Sequence, residues 1–161
     1  MKPSVYLDCL AQTAARDGLE PSDLQAVALM ETLTMERALG YAFCADYERF
    51  LAEAGCGEVY GGLARWLHLD ITRDGNILDV SRRLAKEMAA ATRRKHGKNT
   101  FPRDFLVIYD ACDGDLFGFI PTDSSSYQPQ VYAWNIEDLQ LREVAPDFDA
   151  FLDYLSDCDE L

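Results

Sequence analysis

The stretch "DACDGDLFGFIPTD", Asp110 to Asp123, gathers the carboxylates Asp110, Asp113 and Asp115 around one glycine and ahead of an apolar run. Oxygen donors so close together are what a hard cation such as calcium needs, and what an acid-based hydrolase would use. A helix–loop–helix calcium site requires acidic or amide residues at its first, third and fifth positions and a glutamate at the twelfth. Counted from Asp110, the third residue is Cys112 and the fifth is Gly114; counted from Asp113, the fifth is Phe117, and neither register meets a glutamate. Flanked by "DFLVIY" and "LFGFI", the acids read instead as a hairpin connection in which Asp and Gly supply turn geometry.

Other chemistry-bearing patterns are sparse. There is no G-x-S-x-G elbow, and "GEVYGG" lacks both the lysine and the preceding strand of a phosphate-cradling loop. Cys56, between Gly55 and Gly57, could serve as a nucleophile with His68 as its base, but no third group orients the pair, and a structural turn cysteine is the better reading. Zinc finds no support, because His68 and His96 lie near no cysteine at structural-site spacing. The five cysteines are scattered and odd in number, as expected of reduced thiols. Paired carboxylates for glycoside chemistry can be neither singled out nor dismissed among 28 acids. No metal and no cofactor is expected.

These residues need elements to hold them. "SVYLDCLAQTAARDG" places Val5, Leu7, Leu10, Ala11 and Ala14 at helical spacing, with Gly18 as its stop. A second helix is predicted to start after "EPSD", capped by Ser22 or Asp23, with Leu24, Val27 and Ala28 opening its apolar stripe. "ADYERFLAEAG" sets Tyr47, Phe50, Leu51 and Ala54 on one face, and Gly55 terminates it. In "RWLHLDIT", Leu67, Leu69 and Ile71 alternate with His68, Asp70 and Thr72, which predicts a half-buried strand. After the "RDGN" turn, a basic helix turns Val80, Leu84, Met88 and Ala91 inward and stops at Gly97. Then come "DFLVIY", "LFGFI", "QVYAW" and "LQLREV" as strands, and "DFDAFLDYL" as a last helix bearing Phe148, Phe151, Leu152 and Leu155. The expectation is one α+β domain over residues 1–161: N-terminal helices, an antiparallel meander of about five strands, an inserted basic helix and a C-terminal helix packed on the sheet.

The net charge of −13 speaks against nucleic-acid binding and for attraction of a basic partner. Residues 101–161 carry 14 acids against 2 bases, whereas residues 81–100 carry 7 bases against 1 acid. The basic helix reads as a solvated face, or as one pairing with the chain's own acids. No apolar run reaches the roughly 20 residues that span a bilayer, and the start lacks a secretion signal's apolar centre, so a cytoplasmic chain is expected. Trp66, Trp134, Tyr60, Tyr127 and Tyr132 are expected mostly in the core.

"DYERFLAEAGCGE", "DFLVIYDACDGDLFGF", "VYAWNIED" and "VAPDFDAFLDYL", in this order, resemble the SUKH superfamily, the group of Smi/Knr-type fungal regulators and many bacterial immunity proteins. Tyr47, Phe50, Leu51 and Gly55 match its aromatic helix, Asp113, Gly114 and Asp115 its acidic turn, Val131, Tyr132 and Trp134 its "V-Y-x-W" strand, and Phe148, Phe151 and Leu152 its closing helix. The likeness runs from about Tyr41 to Leu155. It implies a non-catalytic module that binds a protein: in the bacterial branch an antitoxin that neutralises a basic toxin domain, such as a nuclease, by direct contact. A regulatory scaffold and a small metal-dependent hydrolase are the alternatives. Asp113, Asp115, Asp123, Tyr127 and Tyr60 are the expected partner-binding residues, with no nucleic-acid or membrane partner.

Overall fold

The computed structural model describes residues 1–158, as a sheet of seven antiparallel strands in which spatial order equals chain order. Helix α1 (Pro3–Asp17) is followed by β1 (Asp23–Gln25), α2 (Leu29–Leu39), α3 (Ala45–Glu53), β2 (Cys56–Val59), β3 (Ala64–Trp66) and α4 (Ile77–His96). The second half is β4 (Leu106–Asp110), β5 (Asp115–Phe119), β6 (Val131–Asn135), β7 (Gln140–Ala145) and α5 (Phe148–Cys158). The α+β class, the basic helix and the C-terminal helix match expectation.

The sheet gains two strands over the expected number, and both corrections have a local cause. Ser22 does not cap a helix; its Oγ accepts the backbone N–H of Tyr60 at 3.1 Å, which ties the residues before β1 to the turn after β2. With that hydroxyl engaged, "DLQ" pairs with β2, and the helix starts only at Leu29. The second correction concerns "CGEVYGG", where glycine obscured a strand. A side chain at Gly55 would lie 1.7 Å from the Gln25 carbonyl oxygen, and one at Gly57 would lie 1.9 Å from that of Asp23. Glycine is what lets β1 approach β2 so closely. The strand expected through Ile71 is also shorter: β3 ends at Trp66, Leu67 and Leu69 stay buried in the irregular segment that follows, and Ile71 is exposed.

Most of the core lies between the sheet and the layer of α1, α3 and α5. Trp66 of β3 packs at 4.4 Å centroid distance against Phe50 of α3 with the rings tilted, and meets Tyr109 of β4 edge-on at 4.7 Å. Phe148 and Phe151 of α5 meet Tyr47 and Phe117 at 5.2 Å each. Burying these rings is the main source of stability, at about 25 cal/mol per Å² of apolar surface. Helix α1 contributes Tyr6, Leu10 and Ala14 to this layer, while Val5, expected inside, is exposed. Along the other face runs α4, packed on β4, where buried Ser81 Oγ accepts the Val107 N–H at 2.9 Å. There Phe101 meets Trp134 edge-on at 4.8 Å. The buried Asn76 caps α4, its Oδ1 accepting from Leu78 N and Asp79 N, so the last residue of "RDGN" belongs to the helix start.

Candidate functional site

Strand β5 carries a different surface at each of its ends, and the expected partner-binding residues divide between them. At its start is the β4–β5 turn, as the sequence indicated. Asp110 Oδ1 accepts the Cys112 N–H at 2.8 Å and Asp113 Oδ1 accepts the Asp115 N–H at 3.0 Å. These bonds hold the left-handed Cys112 and Gly114 in place. Asp115 is more tightly engaged. Its carboxylate accepts from Arg142 of β7 at 2.9 Å and from Asn135 of β6 at 2.9 Å. The Arg142 hydrogen bond, followed by that from Asn135, holds the Asp115 carboxyl below the usual carboxylate range against the cost of its partial burial. This acid bolts three strands together.

Tyr60 lies on the same side, 8% exposed, and lines with Asp113 and Asp115 a concavity of about 410 Å³ that also includes Tyr109, Phe117 and Tyr154.

Past the other end of β5, the connection "IPTDSSSYQPQ" is laced to itself and to the segment after α2. Thr122 N and Oγ1 both donate to Ser126 O, Ala42 N donates to Ser125 O, and Tyr127 N donates to Ala42 O. Tyr127 is 5% exposed and packs on Tyr41 and Phe43, and its phenol is pushed far up by that burial. Tyr41 OH donates to Asp104 at 2.9 Å. Tyr41, Asp104, Asp123 and Tyr127 line, with Arg82 and Arg103, a groove of about 840 Å³ between α4 and this connection. Asp123 is exposed there and makes no hydrogen bond or ion pair among the described residues. So Tyr60, Asp113 and Asp115 come together, Asp123 and Tyr127 come together, and β5 separates the two groups. Tyr60 and Tyr127 are core residues, as are Trp66 and Trp134, whereas Tyr132, also expected in the core, is half-buried.

The thiol–imidazole pair considered from the sequence is poorly tuned for nucleophilic chemistry. Cys56 is the first residue of β2 and not part of a turn; burial pushes its thiol up to about 12, so it stays protonated at neutral pH. His68 sits half-buried beyond β3, its pKa lowered by burial and then by the Arg73 charge.

The basic face of α4 is solvated. Arg82, Arg83, Lys86, Arg93, Arg94, Lys95 and Lys98 are all exposed, and none forms an ion pair among the described residues; Lys95 Nζ donates to the Asp138 carbonyl at 3.0 Å. No helix among the described residues is long and apolar enough to cross a membrane.

An antiparallel meander closed by an aromatic C-terminal helix defines the class: a small α+β domain. The chain belongs to the SMI1 / KNR4 family (SUKH-1), whose model matches residues 31–154, from α2 into α5. Proteins of this family are generally of the immunity type, bind protein toxins and are generally non-catalytic. No individual curated protein matches the chain.

Proposed function

We propose that this protein is an immunity protein, an antitoxin that neutralises a basic toxin domain by binding it directly through an acidic surface in the cytoplasm of its own cell. One observation supports this most: the acid excess is not consumed internally. All but Asp159 and Glu160 of the 28 acids lie among the described residues, and of these only Asp17, Asp46, Asp104, Asp115, Asp149 and Asp153 stand in ion pairs. Each unpaired carboxylate adds to a field that attracts a basic surface and speeds encounter with it. A nuclease, whose substrate cleft must be basic to hold phosphate, is the kind of toxin this field suits. The exposed Asp113 and Asp123 contribute to that field, whereas Asp115 shares its charge with Arg142. The protein acts by occluding its partner and carries out no catalysis of its own.

The test is co-purification of the tagged full chain from its native cell at low and at high salt. The expected result is one basic protein held one-to-one and released as salt rises. Recovery of no stoichiometric partner at either salt would overturn the proposal.

A further inference from the structure

Helix α2 buries little of itself. Only Thr32 and Met35 point fully inward, while Leu29 and Met30 are each 71% exposed and Leu33 is 45% exposed. Leu33 stands four residues after Leu29 and three after Met30, so it neighbours both along the helix and joins them into a single apolar patch. A lone exposed leucine is ordinary, but three large apolar residues on little more than one turn are not needed for this fold.

The flanks of the patch are acidic. Glu31 lies to one side, and its charge acts on His68 together with those of Glu58 and Asp70. On the other side is Glu36, whose Oε2 accepts the Phe43 N–H at 2.9 Å. Glu36 crowds Glu48 of α3, whose carboxyl is pushed up by partial burial and then by the Glu36 charge. Among the described residues none of Glu31, Glu36 and Glu48 is ion-paired. Glu48 also shares a side-chain hydrogen bond with Glu36, and a lysine or arginine placed beside the pair would offset their mutual repulsion. Arg37, at the C-terminal end of the face, and Arg73, near His68, are the bases close by.

We infer that this face of α2 is where the basic protein partner docks, its apolar side chains seating on Leu29, Met30 and Leu33 and its lysine or arginine side chains meeting Glu31 and the Glu36–Glu48 pair. The inference rests on the antitoxin reading above and adds the contact surface to it. Charge complementarity selects this occupant over the others. A second copy would bring a further excess of carboxylates to the contact, since Glu31, Glu36 and Glu48 outnumber Arg37 on this surface, and anionic lipid headgroups would be repelled by the same carboxylates. Within the contact, the carboxylates act on the association rate and the buried apolar side chains on the dissociation rate.

The experiment uses the full chain and the protein that co-purifies with it one-to-one, with affinity and rates measured by interferometry. Met30→Ser combined with Leu33→Ser is expected to weaken binding by about tenfold or more, chiefly through faster dissociation. Glu36→Gln combined with Glu48→Gln is expected to slow association by about threefold. Because Met30 is exposed, Met30→Lys should fold normally and should also reduce binding, by placing a like charge against the partner. Asp113→Asn, at the end of β5 away from the segment that follows α2, serves as the distant control and should change affinity less than about twofold. If folded Met30→Lys and the serine variant bind as the wild type does, the docking face is wrong while the antitoxin reading stands. If the wild type retains no partner, the antitoxin reading fails and this face with it. A dilution-dependent dimer abolished by the serine variant would assign the face to self-association and overturn the proposal.

Discussion

The two ends of β5 use the same residue type for different ends. At the start of the strand, Asp110 and Asp113 each bond a backbone N–H two residues on, and Asp115 joins Arg142 and Asn135. Past the far end, Asp123 lies in a serine-rich connection whose hydrogen bonds are made by hydroxyls and backbone, and its carboxylate is left to solvent. Acids at the tight turn maintain geometry, and the acid on the long connection only adds charge. Acid density along the sequence is therefore a poor guide to which acids a partner can use.

The severest challenge to the comparison removes the scaffold common to both ends. Phe148 is buried and contacts Tyr47, Phe50, Trp66 and Phe119, so Phe148→Ala should cost about 3–5 kcal/mol and disorder both ends together. Denaturant unfolding would show it as a lowered midpoint. Preserved stability would mean that the aromatic layer does not hold the sheet.

A finer cut separates the ends. Asp115→Ala should cost about 1 kcal/mol, because it leaves Arg142 and Asn135 without their shared acceptor. Asp123→Ala should stay within about 0.5 kcal/mol of the wild type, as surface changes away from special contacts do. Equal losses at the two positions, read from the same unfolding curves, would erase the distinction.

Acid titration sharpens it further. Asp115 has its carboxyl held down in the folded state, so the stability it adds is present above the unfolded carboxylate pKa of about 3.9 and is lost as pH falls through the lower folded value. Stability measured between neutral pH and about pH 3 should therefore fall less steeply for Asp115→Asn than for the wild type. Parallel acid limbs would show that the Arg142 pair contributes nothing to folding.

Much of the fold was legible because its elements announce themselves by period and punctuation. Tyr47, Phe50, Leu51 and Ala54 repeat at helical spacing before Gly55, and the four late strands stand between clear turn residues. β1 and β2 were hidden because their pairing depends on something the sequence pattern lacks, the close backbone approach permitted at Gly55 and Gly57. Ser22 misled for a related reason: a hydroxyl suited to capping a helix instead holds the Tyr60 N–H, a partner 38 residues away. The candidate site was less legible still. The acidic excess and the turn at Asp113 could be read directly, but the Asp115–Arg142 pair spans 27 residues and exists only once β5, β6 and β7 are in register. The apolar face of α2 was missed because the predicted helix began too early and its inward stripe was assigned to Leu24, Val27 and Ala28.

The central claim is that exposed carboxylates bring a basic protein to this surface. The most direct test is the association rate of the purified complex measured by stopped flow across ionic strength. The account predicts a fall of about tenfold or more between 50 mM and 500 mM salt, with a much smaller change in dissociation rate. An association rate that does not change with salt would contradict it.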